Sequence, residues 1–401
     1  MAEKELTRRQ FLRDVGVTCA TTGLIVSPLS TAVALRKEGP EEGADAPSEM
    51  EYRPLGKTGL KVSVVSHGVM QVEDRVVVFE ALEKGINLFD TAHVYKKGKS
   101  EELLGSVLKE YGRDKAYVVT KVPPYERGIT GKKLRDTSIM EEMLEKSLKR
   151  LQTDYVDVLL LHNIQDSSWP RNEDLRLFLA RQKQAGKARF VGISFHAQGS
   201  NFVDIVNESL KTRFYDVFLA AYNFKSPPEH TEVLRRARSQ QVGIIAMKTQ
   251  AGGYDKSVTG GLNPHQAALK WVLDKDFIDC SIPGMVNRLQ LQQNIAIVGK
   301  RPGWSDRKAL DSYYTAIKDR YCIRCGECTS TCHARVDIPS IHRSLTYWEG
   351  YGDLELARAA YGELSSRENA LACMDCSAPT CRCANGIEIG ERMRYAHHML
   401  A

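Results

Sequence analysis

The sequence predicts an α/β fold, a (β/α)8 TIM barrel followed by a small α-helical domain. Three observations carry that expectation. From Val62 to Val298, eight short apolar runs alternate with eight longer stretches of helical periodicity, the pattern that closes a parallel barrel. No G-x-G-x-x-G turn follows an early run, as a doubly wound nucleotide-binding sheet would require. Eight of the ten cysteines crowd the last eighty residues, which marks a C-terminal part of different character.

The elements follow in order. Residues 1–34 read as a twin-arginine signal peptide. Thr7-Arg8-Arg9-Gln10-Phe11-Leu12-Arg13 carries the paired arginines, Val15 to Leu35 is uncharged, and Ala32-Val33-Ala34 is a small-x-small cleavage site. The mature chain is therefore expected outside the cytoplasm, periplasmic or otherwise exported by that route. Residues 35–50, rich in Glu, Ala, Gly and Pro, read as a solvated linker. The barrel is placed at 51–303. Its expected strands are Val62–Gly68, Asn87–Thr91, Ala116–Val122, Val156–His162, Ala188–Phe195, Val217–Asn223, Gly243–Lys248 and Ile278–Pro283. Its expected helices are Asp74–Lys84, Ser100–Glu110, Ser138–Leu151, Glu173–Gln184, Phe202–Lys211, Glu229–Gln240, Pro264–Leu273 and Asn287–Val298. The helical domain takes 304–401, with helical patterns near Ser340–Tyr347 and Leu354–Leu364.

Composition narrows the class. Hydrophobic residues make up 42% and charged residues 26%, the balance of a soluble globular chain. The net charge of +6 is spread rather than clustered, so nucleic-acid binding is not indicated. Beyond the signal, no stretch is long and apolar enough to span a membrane.

Four polar residues stand at or just past the ends of successive strands: Asp90, Tyr95, Lys121 and His162. In a parallel barrel these ends meet at one mouth, where catalysis sits. Tyr95 is the expected general acid/base. A free tyrosine titrates near ~10, and bringing it to neutrality takes roughly 4 kcal/mol. A lysine about 4 Å away, at an effective dielectric of about 20, supplies about 4 kcal/mol. Lys121 is thus expected to lower the Tyr95 pKa, Asp90 to aim Lys121, and His162 to orient a substrate carbonyl.

These motifs resemble the aldo/keto reductase family, over about Tyr52 to Gly299. Tyr52-Arg53-Pro54-Leu55-Gly56 resembles its opening, and Phe89-Asp90-Thr91-Ala92-His93-Val94-Tyr95 its aspartate–tyrosine signature. Lys99-Ser100-Glu101-Glu102-Leu103-Leu104-Gly105 continues the match. Thr120-Lys121, Leu161-His162, Gly192-Ile193-Ser194 and Ile282-Pro283-Gly284 fall at later strands. The resemblance implies carbonyl–alcohol redox chemistry with a nicotinamide, NAD(P). Ser194, Gln293 and Asn294 fit its cofactor contacts, Met247 stands where an aromatic stacks on the ring, and Lys248 and Gln250 are candidates for a cofactor phosphate. The contacts are weakened elsewhere: Phe195 replaces an Asn, Leu219 a Gln, and Gly284 and Gln290 the pair that holds the 2′-phosphate.

In the tail, Cys322-x2-Cys325-x2-Cys328-x3-Cys332 is the spacing of bacterial ferredoxins. A second group follows, Cys373-x2-Cys376-x4-Cys381-x-Cys383. Two such groups separated by helices resemble the helical ferredoxin modules appended to some redox enzymes. The resemblance implies two [4Fe–4S] clusters, one on Cys322, Cys325, Cys328 and Cys383, the other on Cys332, Cys373, Cys376 and Cys381. It departs where Cys381 and Cys383 are one residue apart rather than three. Zinc and disulfides are the alternatives. Zinc favours paired C-x2-C units, and cysteines this close in sequence make poor disulfide partners.

The first functional reading is an exported oxidoreductase acting on a small carbonyl or alcohol. The alternatives are an electron-transfer subunit whose barrel is a docking scaffold for a redox partner protein, and a non-redox acid/base enzyme. A nicotinamide moves a hydride and a cluster one electron, so coupling them requires a carrier such as a flavin. His93, His196 and His333 are read as structural. Tyr222-Asn223-Phe224 is a candidate to shape the pocket, and Trp169 and Trp304 to pack the barrel against the tail.

Overall fold

The computed structural model describes residues 49–126, 133–196, 199–254 and 263–401. The signal and most of the linker lie outside the described residues. Pro47–Ala401 forms one compact unit.

Strands β3 (His67–Gly68), β4 (Leu88–Asp90), β5 (Tyr117–Val122), β6 (Val156–Leu161), β7 (Ala188–Phe195), β8 (Val217–Ala221), β9 (Gly243–Met247) and β10 (Cys280–Ser281) pair in parallel in chain order. Parallel bridges Val65–Ser281 and Gly68–Gly284 join the last strand to the first. The eight-stranded barrel is therefore closed, as expected. One strand is divided. Of the run Val62–Gly68, only His67–Gly68 joins the barrel. Lys61–Ser63 (β2) instead pairs antiparallel with Tyr52–Pro54 (β1). That hairpin plugs the N-terminal end. Leu55, Leu60 and Val62 pack with Leu88, Val158 and Leu219 inside the barrel. Gly56 has φ +51°, and a Cβ there would lie 2.3 Å from the Gly243 amide nitrogen, so only glycine fits this approach.

Helices follow the strands: α1 (Arg75–Glu83), α2 (Lys99–Tyr111), α3 (Thr137–Leu151), α4 (Glu173–Gln184), α5 (Gly199–Thr212), α6 (Pro228–Ser239), α7 (Pro264–Leu273) and α8 (Arg288–Ile295). Side chains at their entries set where they start. Asp74, Asp136, Asn172, Asn263 and Asn287 each accept from a backbone N–H of the first turn, a contribution of about 1 kcal/mol apiece. In α3, Met140, Leu144, Leu148 and Leu151 form the buried stripe, at the spacing that lays one helix face on the sheet.

The remaining chain is helical: α9 (Trp304–Ile317), α10 (Glu327–Thr331), α11 (Ile338–Glu349), α12 (Leu354–Tyr361) and α13 (Ile389–Leu400). Helix α9 packs on α7 through Ala309 and Leu310 against Ala267 and Ala268. Helices α11–α13 have their own core, with Ile341, Leu345, Ala357, Tyr361, Met393 and Ala396 buried together. This part docks on the barrel mouth. Asn223 Nδ2 donates to the Tyr321 hydroxyl at 2.8 Å, Lys248 Nζ to the Tyr351 hydroxyl at 3.2 Å, and Tyr254 and Thr346 share a hydroxyl–hydroxyl bond of 3.2 Å. Trp304 does not pack the two parts together: its ring is 71% exposed. Trp169 is buried and stacks on Tyr125, with centroids 5.9 Å apart.

Candidate active site

Asp90 ends β4, Lys121 lies in β5, and His162 follows β6. Tyr95 enters from the turn after β4. Lys96 (φ 47°) and Lys97 (φ 56°) are both left-handed, as are Asn163 (φ 57°) and Lys248 (φ 58°) just past their strands. Non-glycine residues in that region are uncommon and collect where a site requires a sharp turn.

Three of the four expected residues join in one hydrogen-bonded group, with His162 packed against it. Lys121 is 1% exposed. Its Nζ donates to Asp90 Oδ1 at 2.7 Å, to the Thr91 carbonyl at 2.6 Å and to the Tyr95 hydroxyl at 3.2 Å. The His162 ring meets the Tyr95 ring edge-on, with centroids 5.6 Å apart and planes at 84°. Burial pulls the Lys121 pKa down, opposed by Asp90, and pushes Asp90 up, opposed by Lys121. The expected lowering of Tyr95 is corrected. Its pKa is raised well above the ordinary value, first by burial and then by the charge of Asp90, with Tyr347 and Tyr351 adding to it. Lys121 is held closer to Asp90 and the Thr91 carbonyl than to the phenol, so the lysine charge is largely offset before it reaches Tyr95. Asp90 Oδ2 is buried with no hydrogen-bond partner.

The expected cofactor residues do not assemble into one open cradle. Ser194 Oγ accepts from the Asn163 amide at 2.9 Å and faces the Leu161 carbonyl at 3.5 Å, tying β7 to β6. Gln250 Nε2 donates to Asn294 Oδ1 at 3.1 Å. The Gln293 carbonyl accepts from Gln266 at 2.6 Å. Met247 belongs to the barrel interior with Leu219 and Ile245. Lys248 turns towards the tail, over the rings of Tyr347 (4.8 Å) and Tyr351 (4.9 Å). Of the expected cofactor residues only Lys248 lines the cavity at the barrel mouth.

Four of the tail thiols have raised pKa values, and the cysteines that add to each rise fall into two sets. Burial pushes Cys322 up to about 12, with Cys328 and Cys383 adding to it, and Cys328 up to about 11, with Cys325 and Cys383 adding. Cys373 rises to about 11 by burial and then by Cys332, Cys381 and Cys376; Cys381 feels Cys332 and Cys376. These are the two foursomes that the ferredoxin resemblance implies. All eight thiols are free. As placed, no three His, Cys, Asp or Glu side chains among the described residues stand close enough to hold a metal ion.

A cavity of about 70 Å³ lies between the barrel mouth and the tail, lined by His196, Lys248, Cys322, Arg324, Arg343 and Tyr347 among others. His196 lines this cavity. His93 is bonded to Ser147 (3.1 Å), and His333 faces Thr380 (3.4 Å). Arg324, Arg343, Tyr347 and Tyr351 went unrecognised. The one available signal was the helical pattern Ser340–Tyr347, which carries an arginine and a tyrosine one turn apart. Asn223 lines the same cavity, in keeping with the role expected of it.

Comparison with known proteins places the chain. The aldo/keto reductase family matches at residues 67–259. The uncharacterized oxidoreductase YrpG of Bacillus subtilis is 34% identical over 229 residues, 51% of this chain and 68% of its own. L-galactose dehydrogenase of Arabidopsis thaliana is 38% identical over 161 residues, 37% of this chain and 49% of its own. Among solved structures, an aldo-keto reductase from Bacillus halodurans in its holo form superposes with TM-score 0.55 at 23% identity, over 65% of this chain and 95% of that one. That likeness concerns the fold alone. A putative aldo-keto reductase from Pseudomonas aeruginosa gives TM-score 0.51 at 28% identity, over 62% and 94%. The chain belongs to the aldo/keto reductase family, and it is an oxidoreductase.

Proposed function

We propose that the protein is an exported aldo/keto reductase-type enzyme that interconverts a small carbonyl and an alcohol, with two [4Fe–4S] clusters in its tail. The observation that carries the chemistry is the Lys121 Nζ bonded to both Asp90 and the Tyr95 hydroxyl. In the reductive direction Tyr95 gives its proton to the carbonyl oxygen, and Lys121 stabilises the phenolate that forms. Asp90 keeps Lys121 charged and aimed. His162, against the Tyr95 ring, orients the carbonyl. A phenol held above its ordinary pKa stays protonated at neutral pH and is ready to donate. Substitution Tyr95→Phe tests this: turnover should fall with the fold intact, and unchanged turnover would defeat the reading.

Cys322, Cys325, Cys328 and Cys383 would hold one cluster, and Cys332, Cys373, Cys376 and Cys381 the other. The charge coupling within each set supports this division. The twin-arginine pattern supports export, since that route carries folded proteins with cofactors in place. A nicotinamide is the electron source that the family resemblance implies. Protein purified without oxygen and then denatured should release its small molecules for identification by mass. A near-equimolar nicotinamide would establish a preloaded reductase. Iron and sulfide without it would favour the second reading, an electron-transfer subunit, which the nearness of Cys322 to the mouth cavity also favours.

A further inference from the structure

The cavity at the mouth is walled by positive charge from three elements. Lys248 reaches it from the end of β9, Arg343 from α11, and Arg324 from the loop between Cys322 and Cys325. None of the three forms a direct ion pair with a carboxylate among the described residues. Arg343 feels Glu363 and Asp337 only at longer range. The Nε atoms of Arg324 and Arg343 are buried without a hydrogen-bond acceptor. Against the cost of burial, Tyr347 and Tyr351 keep Lys248 charged, and Tyr347 with the more distant Glu363 keeps Arg343 charged. Both therefore face the cavity as cations whose supporting groups are phenols and remote carboxylates, and an anion entering between them would meet two positive charges. The neighbours register this field. His196 is held well below its usual pKa by burial and then by Arg343, Lys248 and Arg324. Tyr347 is driven down by Lys248 and Arg343 although burial pushes it the other way.

The proton donor lies within electrostatic reach of the cavity's lining. Tyr95 lies near enough to Tyr347, Tyr351 and Arg343 to feel their charge, and Asp90 and Lys121 both feel Lys248. A molecule anchored in the cavity can therefore extend towards Tyr95.

We propose that Lys248 and Arg343 bind a carboxylate or phosphate carried by the substrate, so that the enzyme's substrates are small anionic carbonyl compounds and the matching hydroxy acids or phosphates. This rests on the carbonyl–alcohol reading above. It reassigns Lys248 from a cofactor phosphate to the substrate. The roof of the site comes from the tail, so the specificity belongs to the assembled chain rather than to the barrel.

The test is calorimetric binding to the full chain, purified anaerobically with its clusters. The probes are pyruvate, inorganic phosphate and the uncharged pyruvamide. Wild type should bind the two anions and bind pyruvamide at least tenfold more weakly. Arg343→Gln should weaken anion binding by about ten- to a hundredfold, the usual loss for a charged hydrogen bond, and leave pyruvamide unchanged. Arg343→Lys, which keeps the charge, should recover part of the loss and guards against a simple folding defect. Equal anion binding by wild type and Arg343→Gln would overturn the proposal. So would an Arg343→Gln effect confined to NAD or NADP, which would make the cavity a cofactor-phosphate site. A shift in cluster potential with anion binding unchanged would overturn it too, since the cations would then serve the cluster. Tyr95→Phe separates the two readings: it should lose turnover yet keep anion binding. Turnover retained in Tyr95→Phe, with anion binding still dependent on Arg343, would reject the acid assignment and leave the anion site standing.

Discussion

Lys121 Nζ stands 2.7 Å from Asp90 Oδ1 and 3.2 Å from the Tyr95 hydroxyl, so the lysine belongs first to the carboxylate and second to the phenol. That order explains why Tyr95 is a tightly held acid rather than one poised at neutrality.

Removing the phenolic oxygen should therefore affect chemistry far more than stability. Tyr95→Phe is expected to lower kcat by about 10²–10⁴-fold, the usual contribution of a positioned acid. Steady-state kinetics beside a thermal melt would check it, with the melt nearly unchanged.

The pH profile has a definite sign. Reduction needs protonated Tyr95, whose pKa is raised, so Tyr95 should impose no alkaline fall on the reductive rate below about 10, the ordinary tyrosine value. Alcohol oxidation needs the phenolate and should still be rising there. Rates measured in both directions from pH 6 to 10 would decide; a reductive fall near neutrality that vanishes in Tyr95→Phe would contradict the raised pKa.

Breaking the ion pair from one side should be severe. Asp90→Ala leaves the buried Lys121 charge without its carboxylate, a loss of about 3–5 kcal/mol. Lys121→Met with Asp90→Asn removes both charges and should be milder than Asp90→Ala alone. Urea unfolding of the three chains would rank them.

His67 is fully buried and its pKa is lowered to about 4 by burial, against the Met285 carbonyl that it faces at 3.0 Å. Between about pH 6.5 and 4 the unfolded chain takes up a proton that the folded chain refuses. Stability from this group is thus complete above about 6.5 and falls by about 3 kcal/mol as pH drops towards 4. Unfolding midpoints by tryptophan fluorescence should show a slope of that sign, and His67→Gln should reduce it without abolishing it, because His93, His196 and His342 are lowered by burial in the same way.

How far the sequence was legible follows from the range of each interaction. The helices Glu173–Gln184 and Pro264–Leu273 were read to the residue because caps and apolar spacing are local. The tetrad was legible because its members sit at the ends of three successive strands, Asp90 and Tyr95 at the same one. The run Val62–Gly68 was misread as one strand because its division depends on pairing with Tyr52–Pro54, which an apolar run does not reveal. Helices α9, α10 and α13 have no counterpart in the sequence reading. The cavity was invisible for a stronger reason: Lys248 and Arg343 lie far apart in the chain, and no spacing rule relates a strand end to a helix in the tail.

Gly350 shows how tightly the two parts meet. A Cβ there would lie 2.0 Å from the Gly252 carbonyl oxygen, a backbone atom with little freedom to move. Gly350→Ala should loosen the tail, seen as faster hydrogen exchange at Gly252 and Tyr351 while the β5–β6 core stays protected.

The docked tail also sets a schedule. A ribosome that has delivered the whole barrel has yet to deliver Arg343 and Tyr347, so the nascent enzyme has its proton donor but no roof over its mouth. On the proposed reading, competence arrives only with the last hundred residues, and a prematurely terminated chain would be an inert barrel.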